Sequence, residues 1–208
     1  MLTKNGSVCI VGHGPSLKGA GLGKKIDACD VVVRLKNCSM LLAEPRNYGK
    51  RTDVMCSSTE VLHHLWKVKA LEYWGFPKKG SYNQGSVAWL ERKIGYSAPV
   101  VVPLQVSNFW NEFFRQMGAK HPNVSTGVGA LIIALDRLSP KEVYLAGFDK
   151  VLDPSTDGYK CTVPTLFNKG GTADTGHDWN TEKLLLDYLA AQYKVGIFNL
   201  ASGNVVPS

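Results

Sequence analysis

The chain has 208 residues, which is enough for one well-filled hydrophobic core and short for two. Hydrophobic residues make up 44% and charged residues 20%, as in ordinary soluble globular domains, and no stretch approaches the ~20 apolar residues that cross a bilayer. The net charge of +7 favours an anionic partner, such as a nucleotide, a phosphorylated glycan or a nucleic acid. The basic residues are scattered, which is more typical of solubility than of a DNA-binding face.

Apolar runs typical of buried strands alternate along the chain with stretches typical of helices. In chain order we expect a strand at 8–12, a short loop and helix in "PSLKGAGLGKKI", strands at 31–35 and within 51–58, a helix at 60–74, a strand at 98–104, helices at 108–118 and 125–140, a strand at 142–148, a polar loop at 149–177, a helix at 178–193 and a strand at 195–200.

This alternation predicts an α/β fold, with a Rossmann-like and mostly parallel sheet flanked by helices, in a single domain over residues 1–208. In such a fold, ligands bind beyond the carboxyl ends of the strands. A binding site is therefore expected in the loops that follow strands, at 12–18, 36–40, 56–60 and 148–177.

The loop after the first strand, "GHGPSLK", has the composition of a phosphate-binding turn. Gly12 and Gly14 allow the backbone to approach a ligand closely, and Ser16 offers a hydroxyl. A helix starting there would point its N-terminal amides at an anion. The spacing matches neither the Walker A pattern nor G-x-G-x-x-G. The alternative is a tight strand-to-helix turn with no ligand.

Three segments resemble the motifs of the eukaryotic-type sialyltransferases, glycosyltransferase family 29. "VCIVGHGPSLKGAGLGKKIDACDVVVRL", continued by "YGKRTDV", is similar to the large sialyl motif. "HPNVSTGVGALIIALDRLSPKEVYLAGF" is similar to the small motif, and "HDWNTE" to the last one. The order and spacing of all three agree, and the resemblance is weakest over 60–120. The front loop also resembles that of the bacterial sialyltransferases of family 42.

The resemblance implies the sialyltransferase variant of the GT-A-like fold and a cytidine monophosphate (CMP) sugar as donor, with CMP-sialic acid expected. It implies a metal-independent reaction with no further cofactor, and no D-x-D pattern is present. The positions that it assigns to the donor are Gly12, His13, Gly14, Ser16, Asn37, Ser125, Thr126, Gly127, Gly147 and Phe148.

Alternatives stay open at four of these positions. The family's nucleotide-binding Asn falls one position earlier, at Lys36, so either Lys36 or Asn37 fits that role. Ser125 or Thr126 is equally typical of a plain helix N-cap. Phe148 is equally typical of a core residue.

His177 is the catalytic residue that the resemblance implies, as the base that takes the proton of the acceptor hydroxyl in an inverting transfer. A histidine suits this role because an imidazole with its ordinary pKa of ~6.5 is mostly neutral near pH 7. Asp178 is a plausible N-cap for the following helix. Glu182 lies one turn further on and has two possible roles: it orients the start of that helix, or it contacts the acceptor.

The chain departs from the secreted animal enzymes in two respects. Their disulfide between the large and small motifs is absent, because its positions fall at Val8 or Cys9 and at Ser139 or Pro140. No membrane anchor, stem or secretory signal is evident, and five cysteines form no C-x-x-C pair. We therefore expect a soluble, cytoplasmic enzyme in a reducing compartment.

The leading hypothesis is thus a sialyltransferase-like enzyme acting on a glycan or glycolipid. Two others remain: a glycosyltransferase that modifies nucleic acid, motivated by the net charge of +7, and a non-catalytic nucleotide- or glycan-binding protein of the same fold.

Overall fold

The computed structural model describes residues 2–36, 38–77, 83–95, 97–119, 124–153, 177–203 and 205–206. These residues form one sheet of eight strands in the order β5-β4-β3-β2-β1-β6-β7-β8. The strands are β1 (Ser7–Val11), β2 (Val31–Leu35), β3 (Val54–Ser58), β4 (Glu72–Phe76), β5 (Val100–Val101), β6 (Glu142–Ala146), β7 (Gly196–Asn199) and β8 (Val205–Val206). β1 to β7 run parallel, and β8 pairs antiparallel with β7.

Helices connect the strands, as a parallel sheet requires. The α-helices are α1 (Gly23–Asp27), α2 (Pro45–Tyr48), α3 (Gln84–Ile94), α4 (Leu104–Gln116), α5 (Thr126–Leu138), α6 (Asp149–Leu152) and α7 (Trp179–Tyr193). Short 3₁₀ helices cover Pro15–Leu17, Cys38–Ala43 and Thr59–Lys67. The predicted α/β, Rossmann-like fold is confirmed.

The direction in which the chain crosses the sheet reverses next to β1. From β1 the chain builds β2, β3, β4 and β5 towards one edge, and β6 then starts the other half on the opposite side of β1. The last residues of the two strands, Val11 and Ala146, stand side by side in register. The loops that follow β1 and β6 therefore begin at the same point, which is where open parallel sheets bind their ligands.

Two hydrophobic clusters cover the two faces of the sheet. The first contains α5, in which every residue from Gly127 to Leu135 is buried. The second contains α1 and the buried side chains of the 3₁₀ helix at 59–67. Alternate residues of the strands contribute to each cluster, for example Ile10 to the first and Cys9 to the second. Burial on both faces explains why the strands read as continuous apolar runs.

The predicted helix at 60–74 was wrong. Its first part is the 3₁₀ helix Thr59–Lys67, and its last part belongs to β4, Glu72–Phe76. Apolar residues at helical spacing suggested one helix, but β4 lies between β3 and β5 and takes its backbone partners from both. Long-range pairing therefore overrides the local pattern.

The other element boundaries differ by less. The strand expected at 98–104 is reduced to β5, Val100–Val101, and α4 already begins at Leu104. Helix α3 and strand β8 were not predicted. Much of the polar loop expected at 149–177 lies outside the described residues. No helix in the described part of the chain is long and apolar enough to cross a membrane.

The packing of α5 on the sheet leaves no room for a side chain at Gly129, where a Cβ would lie 2.8 Å from the Phe76 ring. We expect Gly129→Ala to lower the free energy of unfolding by about 1–3 kcal/mol, because overpacking displaces that ring. Gly85→Ala in α3 is the matched control, since its Cβ would meet only Asn83 Oδ1 at 3.5 Å. The control should be neutral or stabilising by about 1 kcal/mol. Urea unfolding measures both, and equal effects would contradict this packing.

Candidate functional site

Three hydrogen bonds join the loop after β1 to the loop after β6. The Gly12 amide donates to Ala146 O at 2.7 Å and the Gly14 amide to Gly147 O at 2.9 Å. The Ser16 amide donates to Asp149 Oδ2 at 3.0 Å. The backbone donors that the sequence suggested for an anion are thus bonded within the protein.

The glycines of the first loop are needed for this approach of the two loops. A Cβ on Gly12 would lie 2.5 Å from Gly147 O, and a Cβ on Gly14 would lie 2.7 Å from the same oxygen. Gly147 itself has φ of +70°, a conformation that favours glycine. The glycines therefore serve contact between two loops, and their contact with a donor phosphate stays a prediction.

The helix expected directly after this loop is only a 3₁₀ turn, Pro15–Leu17, and α1 starts later, at Gly23. So short a turn has no substantial dipole, because the dipole of a helix is a sum over many aligned peptides. The groups of the loop that remain accessible are side chains: Ser16 is exposed and His13 half-buried. A ligand at this loop would meet these side chains before the amides.

His13 is held in its neutral form. Its Nε2 is screened from solvent, and burial together with the positive charge of Lys36 lowers the pKa of His13 to about 4. Lys36 follows β2, where its amide donates to Cys56 O at 3.0 Å. The neighbouring Asn37, also assigned to the nucleotide, lies outside the described residues.

The start of α5 reaches the same place. Ser125 is its N-cap, with Oγ accepting a hydrogen bond from the Val128 amide at 3.3 Å. Thr126 is half-buried. Gly127 is covered by Phe148, whose ring would lie 2.6 Å from a Cβ at that position.

Phe148 is 5% exposed and belongs to the hydrophobic core. Its ring would also lie 3.2 Å from a Cβ on Gly12. Phe148 thus packs between the loop after β1 and the start of α5. Phe148 is therefore a packing residue in this structure, and its contact with a cytidine stays a prediction.

His177 and Glu182 stand at the start of α7, next to α5. Glu182 is fully buried, and its Oε1 accepts the Ser125 amide at 2.6 Å. The same oxygen lies 3.4 Å from Nδ1 of His177. A carboxylate at this place favours the tautomer with hydrogen on Nδ1. The structure shows the orienting role among the two that the sequence allowed for Glu182.

Two neighbours fix this end of α7. Asp178 is the N-cap, as predicted, with Oδ1 accepting the Thr181 amide at 3.1 Å. The rings of His177 and Trp179 lie 5.1 Å apart. The His177 side chain keeps 19% of its surface exposed.

The structure therefore connects the predicted residues through contacts. His177 contacts Glu182, and Glu182 accepts a hydrogen bond from Ser125 at the start of α5. Gly127, two residues further on, packs against Phe148, and Phe148 also packs against Gly12 in the loop after β1. Sequence reasoning missed Asp149, although an acidic residue three positions after the end of β6, in "AGFD", was a usable signal. Among the described residues no group of three His, Cys, Asp or Glu side chains is placed to hold a metal ion.

Similarity to known proteins is found in structure and not in sequence. A mammalian sialyltransferase in complex with Gal-beta-1-3GalNAc-ortho-nitrophenol superposes with a TM-score of 0.63 at 17% identity, over 95% of this chain and 70% of that one. A second mammalian sialyltransferase structure gives 0.59 at 18% identity, over 93% and 69%. The Campylobacter jejuni sialyltransferase CstII, in complex with the substrate analogue CMP-3FNeuAc, gives 0.64 at 19% identity, over 96% and 82%.

No family model matches the sequence, and no curated protein does. At these identities the likeness shows the fold. The chain has the α/β fold of the sialyltransferases, of both the mammalian and the bacterial structures.

The buried Glu182 carboxylate predicts a stability effect. We expect Glu182→Ala to lower the free energy of unfolding by about 1–3 kcal/mol, because the Ser125 amide loses its partner in a buried setting. Glu182→Gln should cost less, since the amide oxygen can still accept. The control is Glu112→Ala, which removes an exposed ion pair with Arg115 and should change stability little. Denaturant unfolding of the three variants tests this, and a larger loss for the control would contradict it.

The lowered pKa of His13 predicts a pH dependence of stability. The unfolded chain binds a proton near pH ~6.5, whereas the folded state resists it down to about 4. The unfolded state therefore binds more protons in this window, and stability falls as the pH drops through it. Unfolding at pH 7 and pH 5 should show a smaller loss for His13→Asn than for the wild type. Parallel losses would show that His13 is not the group concerned.

Proposed function

We propose that this protein is an inverting, metal-independent glycosyltransferase. It transfers sialic acid or a related sugar from a CMP-sugar to an acceptor hydroxyl of a glycan or glycolipid. The observation that carries the proposal is the His177–Glu182–Ser125 cluster, which is linked through Gly127 and Phe148 to the glycine loop after β1. The fold shared with sialyltransferases supports it.

The donor end of the proposed site is the set of loops beyond β1, β2 and β6. Anions are favoured there by Lys36 and by the net charge of +7. Ser16 and Thr126 supply hydroxyl donors for a phosphate or a sugar carboxylate. The donor's leaving group carries a single phosphate, so hydroxyls, amides and imidazole suffice to hold it.

The acceptor end is His177. As the acceptor oxygen attacks the anomeric carbon, its proton passes to Nε2 of His177, and the bond from that carbon to the phosphate oxygen breaks with its electron pair on the phosphate. Attack from the face opposite the phosphate inverts the anomeric centre. The transition state resembles an oxocarbenium ion, as in other glycosyl transfers. Glu182 stabilises the imidazolium that forms and fixes the ring.

The first test is binding. Calorimetric titration with CMP, with uridine diphosphate as comparator and a chelator present, should show saturable binding of the cytidine nucleotide alone. Binding of neither nucleotide, or preference for the uridine nucleotide, would overturn the donor assignment.

The second test is turnover with CMP-sialic acid and a panel of galactose-terminated acceptors. We expect His177→Ala to lower kcat by about 100- to 10,000-fold, the usual contribution of a general base. CMP affinity should stay within a few-fold, because His177 faces the acceptor. Glu182→Gln should lower kcat by a smaller factor, since it keeps the contact and loses the charge.

Glu112→Ala, a remote exposed carboxylate, is the matched activity control and should leave kcat unchanged. Cytidine nucleotide binding with no transfer to any acceptor would indicate a binding protein of this fold. Full activity of His177→Ala would exclude this histidine as the base.

A further inference from the structure

Two large hydrophobic side chains are exposed within six consecutive residues, where the 3₁₀ helix at 59–67 leads into β4. Trp66 is 44% exposed and Leu71 is 53% exposed. Between them the chain is extended at Val68, and Val68 and Ala70 are buried while Lys69 is exposed. Lys69 and Leu71 therefore point to the same outer side, because side chains alternate along an extended chain. Neighbouring exposed apolar side chains are typical of an interaction surface.

The last turn of α3 lies against this segment and adds two basic residues. Nζ of Lys93 lies 5.4 Å from the centre of the Trp66 ring and 5.7 Å from the centre of the Trp89 ring. Arg92, next to Lys93 in the chain, is exposed. We call this surface the Trp66 face, and it consists of Trp66, Lys67, Lys69, Leu71, Arg92 and Lys93.

The Trp66 face has a strong positive charge. Its four cations, Lys67, Lys69, Arg92 and Lys93, are all exposed. None of them forms an ion pair with another residue of the part of the chain that the structure describes. Glu91, the acidic residue beside them on α3, is half-buried. Basic residues that are scattered in the sequence are thus brought together here, around two exposed apolar side chains.

A lipid surface with anionic headgroups matches both properties of this face. Tryptophan prefers the interface between water and hydrocarbon, and a leucine beside it inserts into the acyl region. Lysine and arginine extend their charged ends to lipid phosphates. A nucleic acid would use the cations but not Leu71. In addition, Lys93 covers a face of the Trp66 ring, so that face is closed to a stacking base.

We propose that the Trp66 face docks this protein on an anionic lipid surface. The face lies at the amino ends of β4 and β5, because Leu71 directly precedes β4 and α3 is the helix between β4 and β5. The candidate functional site follows the carboxyl ends of β1 and β6. Docking and ligand binding therefore use different surfaces, and this inference does not depend on the proposed function.

The test is co-sedimentation of the intact protein with sucrose-loaded vesicles. One set contains phosphatidylcholine alone, and the other contains about a quarter of phosphatidylglycerol, which supplies the anionic headgroups. We expect binding to the anionic vesicles at ~0.1 M salt and little binding to the neutral ones. Raising the salt to ~1 M should release most of the protein, because the Debye length falls from ~10 to ~3 Å.

Single substitutions separate the two contributions. Lys69→Gln should lower the partition coefficient onto anionic vesicles by about fivefold, the usual effect of one cation near such a surface. Leu71→Gln should lower it by about threefold or more, because an exposed apolar group no longer leaves water. The matched controls are Lys141→Gln, an exposed cation before β6, and Leu184→Gln, a residue of α7 that is 46% exposed. Both controls should bind like the wild type.

Three results would overturn the inference: no binding to anionic vesicles, equal binding to neutral ones, or equal losses in the control variants. Binding of a single-stranded oligonucleotide instead of vesicles, weakened by Lys69→Gln, would overturn it in favour of a nucleic acid partner. Thermal unfolding of each variant checks that a loss of binding is not a loss of fold. CMP titration of Lys69→Gln should match the wild type, so docking and the proposed function can fail separately.

Discussion

The site depends on how closely two loops approach each other at the carboxyl ends of β1 and β6. Side chains at Gly12 or Gly14 would collide with the backbone at Gly147, so this approach exists only with glycine at these positions. Once the loops are joined, Phe148 fills the space between them and the start of α5. The position of α5 in turn fixes the Ser125 amide that Glu182 binds.

In this arrangement the backbone and the side chains of the glycine loop have different roles. The backbone amides of the glycine loop are used to hold the protein together, whereas side chains are left to meet a ligand. Glu182 is fully buried, and its Oε2 has no hydrogen-bond partner among the described residues. Burial of an incompletely satisfied carboxylate costs stability, and proteins accept such costs mainly at functional sites. Here the carboxylate orients His177.

The fold class could be predicted from the sequence because buried parallel strands leave long apolar runs separated by helix-forming stretches. Strand β4 could not be predicted in this way. The segment "EYWGF" forms a strand because it pairs with β3 and β5, and the local spacing of apolar residues carries no information on those partners. His177 was assigned as the base from a motif, and its role stays a prediction. The hydrogen bond from the Ser125 amide to Glu182 was not predicted, because the two residues lie 57 positions apart in the sequence. The hydrogen bonds of the Gly12 and Gly14 amides within the protein were not predicted either, because they follow from the register of β1 with β6.

The central position of β1 has a consequence for synthesis of the protein. β1 ends at Val11 and β6 begins at Glu142, so the strand made first waits for a partner that emerges from the ribosome much later. Pairing over such sequence distances slows folding. The Glu182–Ser125 bond adds a requirement for the start of α7, so nascent chains that end before it lack a complete site. If the site binds the proposed nucleotide, that ligand stabilises the folded molecule by mass action and so protects it against unfolding and proteolysis.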